Sequence, residues 1–406
     1  MELLNNKYIE VPIEINHTTK LINRLKIKPT NFTEWKQRHY ITGYLNKNRK
    51  VNIYMTYSAW YKDQDFLKLK YNHDETLTNC DIPCIWKAKD LENLTPKEFK
   101  SADGFFCVEQ PSLPNMKAWK GQKFIQYVLE PKTHCPQCHD KTHLFDIIAT
   151  FDENSDIPTS YIRMDSKHWR SISPFDITKL SKDSAFISFI ASHWTQFRED
   201  FISSLEAHIP VASFGRVRRN TNWGIHPECV NLAGSFTNTI DGSKGILTTS
   251  GETETTKIIR ESVFKEKKTT TQEIDERFNL KNCIISKYPF YLSIENSQEK
   301  DYSTEKLWDT FNLGVVPVIW GAPNTRSYLP HPKSAIFIED FNSTKALADY
   351  LKYLVNNETA YLEYHKWRTM KLSDEFEKRS YLSMHNLECN VCREVARLRI
   401  IEEYNT

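Results

Sequence analysis

From Tyr288 to Asn324 the chain reads YPFYLSIENSQEKDYSTEKLWDTFNLGVVPVIWGAPN, and no other stretch limits the fold as tightly. The run YPFYLSI is short, bulky and apolar, as a buried strand requires. In EKLWDTFNL, Leu307, Phe311 and Leu313 are apolar at helical spacing, and GVVPVIW reads as the next strand. Between the first strand and the helix lies a turn dense in hydrogen-bonding and charged groups. A polar turn at the carboxyl end of a strand, opening a helix, is where α/β sheets bind phosphorylated ligands. The first amides of the helix lack intrahelical acceptors, and its dipole favours an anion there.

The same alternation extends over most of the chain. Short apolar runs recur from Val51: VNIYMTY, IPCIW, GFFCV and KFIQYVL. This is the spacing of buried parallel strands in an α/β unit. A second series begins at AFISFIA (185–191). It runs through a helix over 198–207, the strand PVASF, the stretch above and the strand SAIFI (334–338). Helices are expected over 344–355 and 358–367, and a last one over 390–403 with Val391, Val395, Leu398 and Ile401 on one stripe. Residues 1–48 lack a clear period and read as an extended polar arm or stem. A first α/β domain then covers 49–175 and a second 183–375, with a linker-like stretch between them over 163–182. A polar insertion over about 224–272 reads as a long surface loop with some helix near 257–264. The C-terminal helix with its Cys-x-x-Cys fills 376–406.

At 406 residues the chain has room for two full cores. Its net charge of +2 gives no overall field for nucleic acid or an anionic membrane. No apolar run is long enough to span a bilayer, and MELLNNKYIE lacks the pattern of a signal peptide. Nine cysteines include the close pairs Cys80/Cys84, Cys135/Cys138 and Cys389/Cys392. Cys107, Cys229 and Cys283 remain, so at least one thiol stays unpaired within a monomer. His134, Cys135, Cys138, His139 and His143 crowd one short stretch. A disulfide, a zinc site on Cys135, Cys138, His139 and His143, and redox use are all open to it, with the disulfide favoured. Sequons stand at Asn16, Asn31, Asn93, Asn342 and Asn357.

The 288–324 stretch closely resembles the donor-binding motif of the α-1,3-fucosyltransferases, glycosyltransferase family 10. The residues that carry the resemblance are Tyr291, Leu292, Glu295, Asn296, Ser297, Asp301, Tyr302, Thr304, Glu305, Lys306, Leu307, Gly314, Val316, Pro317 and Val318. Further matches are LFDIIATFDENSDIPTSY and SHWTQFREDFISSLEAHIPVASFG, so the resemblance covers about 51–392. It implies two Rossmann-like domains facing across a cleft (GT-B type), GDP-fucose as donor, no required cofactor or metal, and a glycan or glycoprotein acceptor. It also implies the Golgi lumen, with a membrane anchor that this sequence does not contain. A disulfide between Cys389 and Cys392 is implied in the same way.

Sugar transfer from a nucleotide diphosphate needs a base for the attacking hydroxyl, positive charge for the leaving diphosphate, and groups that orient the donor. The resemblance assigns the base to Glu130, directly after KFIQYVL, in preference to Glu109. A proline follows Glu130 where the family has a serine. Arg198 and Lys306 are the cations; an arginine can fork onto two phosphate oxygens, whereas a lysine acts as a point charge. A lysine in a first helical turn opposes the dipole, and an anionic ligand would account for it. Asn296, Tyr302 and Glu305 would orient the donor, while Glu295 is structural. His193 stands where the family has asparagine. Two competitors are a protein O-fucosyltransferase of the same fold and a non-catalytic glycan-binding relative.

Overall fold

The computed structural model describes residues 18–46, 48–56, 75–77, 80–89, 93–108, 119–163, 166–181, 184–230 and 279–405. Two sheets organise them. The first contains β1 (Val51–Thr56), β2 (Glu75–Leu77), β3 (Cys84–Ala88), β4 (Gly104–Val108), β5 (Lys123–Val128), β6 (Ile147–Thr150) and β7 (Ile157–Pro158), in the order β2-β3-β1-β4-β5-β6-β7. All its pairings are parallel except that of β2 with β3. The second contains β8 (Ile187–Phe189), β9 (Val211–Ser213), β10 (Phe290–Ile294), β11 (Val316–Trp320) and β12 (Ile336–Phe337), in the order β12-β11-β10-β8-β9. Every pairing in it is parallel. The α/β class and the two-unit plan match the expectation, and each apolar run named above supplies a strand. Parallel strands must be covered on both faces, and β4 and β10 are buried at every position.

The second unit closes through the stretch expected to be a linker. Trp169, on the helix Ser166–Arg170, is fully buried among Trp308, Phe311 and Phe376. Its neighbour Phe175 donates its N–H to Gly314 O at 2.8 Å. Gly314 has φ 69°, and a Cβ there would lie 2.0 Å from Ser173 O, so only glycine fits. The linker reading is therefore corrected: the 166–181 stretch is a wall of the second core. The insertion lies largely outside the described residues, including the helix expected near 257–264. Cys229 and Cys283, which flank it, are joined by a disulfide.

The N-terminal arm is also corrected. Residues Thr18–Lys26 and Phe32–Asn46 are helices, not an extended stem. Leu21, Ile22 and Leu25 bury against Ile41 and Ile400. This apolar stripe is too short to show a period in the sequence. The helices lie on the C-terminal helix Leu387–Asn405, whose opposite side packs on the first sheet through Leu387, Val391, Val395 and Ala396. Its charged side is consequently buried. Glu394 pairs with Arg38 and Arg397, Arg393 with Asp81, and Arg399 with Asp103 and Asn46.

Cys389 and Cys392 do not bond to each other. Cys389 is linked to Cys80 and Cys392 to Cys84, with Cα atoms 5.4 and 5.9 Å apart. Both cysteines lie one turn apart on the helix face that meets the edge of the first sheet, so each faces a cysteine across the interface rather than its neighbour. Cys135 and Cys138 are joined as expected, and Cys107 is buried outside these bridges.

Candidate active site

In the second sheet the chain leaves β8 for β9 on one side, then crosses to β10 on the other. The crevice at the carboxyl ends of β8 and β10 is the topological switch point of an open α/β sheet, where ligands bind. From β8 the chain enters the helix Gln196–Glu206, capped by Thr195, whose hydroxyl accepts the Arg198 N–H at 3.2 Å. Arg198 is 1% exposed. Its guanidinium spans the crevice, donating to His193 O at 2.8 Å and to Ile294 O, the last residue of β10, at 2.6 Å. Its Nε has no partner. Burial pulls the guanidinium below its ordinary pKa, and Glu295 offsets part of this.

The turn after β10 is built around Glu295, which is 3% exposed. Its carboxylate accepts the Thr304 N–H at 2.7 Å and the Thr304 hydroxyl at 2.9 Å. It also accepts the Lys306 ammonium at 3.2 Å. Thr304 in turn caps the helix Glu305–Asn312. The end of the strand and the start of the helix are thus tied by one side chain, in line with the structural role expected of Glu295. Gly321 lets it lie there, since a Cβ would come within 2.9 Å of the Glu295 Cγ.

Lys306 also donates to the Thr304 hydroxyl at 2.8 Å and lies 3.6 Å from Glu305. Its conflict with the helix dipole is therefore answered inside the protein. Burial alone would lower the pKa of Lys306, but Glu295 and Glu305 outweigh it and raise it. Burial likewise pushes the Glu305 carboxyl up, and Lys306, Lys281 and Arg163 overcome this to hold it well below the usual carboxylate range. Lys281 lies 3.5 Å from Glu305 and 3.8 Å from Asp309, whose carboxyl is raised by burial. Arg163, Arg198, Lys281 and Lys306 thus face Glu295, Glu305 and Asp309, with the Glu130 carboxylate nearby. Arg163 comes from a chain segment far from the motif, and Lys281, just before its first strand, matches no local pattern, so neither shows in the sequence.

Glu130 follows β5 and is exposed. Leu129 O accepts the Tyr161 hydroxyl at 2.6 Å, and Glu130 O lies 3.0 Å from His139 Nε2. Tyr161 stands edge-on to Tyr302, with ring centres 6.1 Å apart. Burial raises both phenols above their ordinary range, and the nearby Glu130 carboxylate raises them further. Beyond Glu130, His134 Nε2 lies 3.1 Å from Asn296 O, and the Thr133 and Ser297 hydroxyls are 3.3 Å apart. The loop that carries Glu130 therefore rests on the turn that carries Asn296, Tyr302, Glu305 and Lys306. Asn296 Oδ1 is buried without a partner, whereas Tyr302 is 2% exposed and packs the turn against Phe151. The sulfurs of Cys135 and Cys138 are bonded to each other, which removes them as zinc ligands. No group of three or more His, Cys, Asp or Glu side chains is set to hold a metal among the described residues. Glu109 lies outside the described residues.

Residues 257–405, which include the turn and its helix, match the family model described as glycosyltransferase family 10 (fucosyltransferase) C-term. Over those residues the chain is similar to glycosyltransferase family 10. Among curated proteins, the rat 4-galactosyl-N-acetylglucosaminide 3-alpha-L-fucosyltransferase 9 is 30% identical over 263 residues, 63% of this chain and 56% of that protein. The chain thus aligns with little more than half the length of that relative. The GDP-fucose protein O-fucosyltransferase 3 of Xenopus laevis is 46% identical over 85 residues, 21% of this chain and 18% of that protein. A solved α1,3-fucosyltransferase structure with GDP has a TM-score of 0.47 at 18% identity, covering 88% of this chain and 92% of that one. Within the family 10 match fall Asn296, Tyr302, Glu305 and Lys306; Glu130 and Arg198 lie before it.

Proposed function

We propose that this protein transfers L-fucose from GDP-fucose to a hydroxyl of a GlcNAc-containing glycan, in α-1,3 linkage and with inversion. Glu130 takes the proton of the acceptor hydroxyl as its oxygen attacks fucose C1 from the face opposite GDP. The C1–O bond to the diphosphate breaks, and Arg198 and Lys306 stabilise the charge that develops on the departing GDP. Asn296 and Glu305 orient the donor, and Tyr302 holds the turn in shape. The observation that carries this reading is the contact of His134 with Asn296, 3.1 Å across the two units, because it joins the Glu130 loop to the cationic turn. We place the reaction in the Golgi lumen on the strength of that resemblance, and four disulfides suit an oxidising compartment.

The test is to mix the protein with GDP-fucose and a panel of glycans, follow GDP release, and identify products by mass spectrometry. Glu130→Gln should cut transfer by on the order of 100-fold or more and leave GDP affinity unchanged. Substantial residual turnover would remove Glu130 from the role of base. A second reading, transfer to a protein hydroxyl, draws support from the 46% identity over 85 residues to the Xenopus protein O-fucosyltransferase. Folded protein acceptors in the same panel separate the two, since only one class should gain the mass of a fucose.

A further inference from the structure

The turn over 296–304 is also held from the side away from Arg198. Asp301 has φ 67°, the left-handed region that aspartate enters only with local support. Its N–H donates to Asn324 Oδ1 at 2.9 Å, and its Oδ1 accepts Asn324 Nδ2 at 2.7 Å. The same oxygen accepts the Arg379 guanidinium, and the other accepts the Glu153 N–H at 3.3 Å. The Arg379 guanidinium lies over the Tyr328 ring, 3.8 Å from its centre, and the Tyr328 hydroxyl is 2.6 Å from that of Ser303. Around this pair, Lys378 bonds Glu153 and Glu375, and Arg379 approaches Glu375 at 3.5 Å and Glu153 at 3.9 Å. Three parts of the chain meet here. Glu153 follows β6 of the first sheet, Asp301 belongs to the turn, and Arg379 lies on the helix Asp374–Tyr381, which leads into Ser383 and its bridge to Ser160.

Such a junction controls two things at once: the shape of the turn, and its seat against the unit that carries Glu130. We propose that Arg379 is a positioning residue for fucosyl transfer. By gripping Asp301 it sets the spacing between the nucleotide-holding turn and Glu130. This rests on the functional reading above. Arg379 touches neither Lys306 nor Glu130 and reaches the turn through Asp301 and, by way of Tyr328, Ser303. A bare structural brace would change the melting temperature alone, whereas a positioning residue changes GDP affinity and turnover while the fold is intact.

GDP binding by calorimetry and donor turnover are measured for the full chain and for Arg379→Met, Arg379→Lys, Asp301→Asn and the Asp301→Asn/Arg379→Met double variant. Circular dichroism fixes a temperature at which each is folded. Arg379→Met is expected to weaken GDP about tenfold and lower kcat at saturating donor, and Arg379→Lys, which keeps a charge toward Asp301, to recover most of both. Asp301→Asn keeps the left-handed turn and a link to Asn324 but loses the charge, so it should resemble Arg379→Met. The double variant should be no worse than the weaker single one. Additive losses, or GDP affinity and kcat like those of the unaltered chain, overturn the positioning role. If Arg379→Met does not fold, Asp301→Asn decides on the same thresholds. Failure of the unaltered chain to bind GDP at millimolar concentration overturns the functional reading, and the role of Arg379 with it. Binding by the unaltered chain alongside unaffected variants overturns the role alone.

Discussion

Lys306 illustrates how much one residue's setting can be read in advance. The sequence places it in the first turn of a helix, where a cation is disfavoured, and the motif gives it a phosphate to hold. What the sequence could not reveal is that Glu295, eleven positions earlier, lies 3.2 Å from its ammonium. On the functional reading above, binding GDP would set the lysine between this internal partner and a phosphate. Lys306→Ala should weaken GDP at least tenfold, because a desolvated charge-assisted bond to phosphate is lost. Unchanged affinity in calorimetry would mean that Lys306 serves Glu295 alone. Arg198 differs in kind. Both its terminal nitrogens donate to backbone carbonyls, so its charge reaches the crevice with its position already fixed. Residues within the strand–turn–helix stretch were legible because their order is their geometry. Arg163 and Arg379 were not, because each comes from a distant part of the chain, and Lys281 was not, because it lies just outside the stretch whose order carries the geometry.

At the scale of elements, strands and central helices came through well, since continuous apolar runs mark buried parallel strands and a period of 3.6 marks a helix with one buried face. The helix Thr344–Val355 falls where its stripe predicts. The terminal elements did not come through. The C-terminal helix reads as amphipathic, yet Arg393, Glu394 and Arg399 are buried because the N-terminal helices cover what would have been its wet side. Those helices were missed for the matching reason: their short apolar stripe makes sense only against that partner. The Cys-x-x-Cys pair was misassigned for lack of the same packing information. Removing both bridges, with Cys80, Cys84, Cys389 and Cys392 all replaced by alanine, should lower the unfolding free energy by at least about 2–4 kcal/mol, measured by chemical denaturation. No change would show that packing alone anchors the helix to the sheet.

The molecule as a whole should lose stability on acidification, through two sets of groups. His39 is buried beside Arg38, Arg393 and Arg397, and burial with those charges holds its pKa well below 6.5; burial also lowers His365 to about 3. Their unfolded forms bind protons first, so stability falls as pH drops below about 6.5. Glu394 lies below its ordinary 4.5 because Arg38 and Arg397 outweigh its burial, and Asp301 lies below 3.8 because Arg379 and Asn324 do the same. Their contribution is complete above those ordinary values and disappears as pH falls through the depressed ones. The melting temperature should therefore decline from pH 7 to 5 and more steeply below pH 4.5; a flat profile would contradict these assignments. The bridges from Cys80 to Cys389 and from Cys84 to Cys392 close loops of 309 and 308 residues around the entire second unit. A ribosome adding roughly 5–20 residues per second needs on the order of 15–60 s between the two partners. Throughout that interval Cys80 and Cys84 are nascent thiols with no mate yet made, and the earliest-translated sheet cannot be sealed until the latest-translated helix arrives.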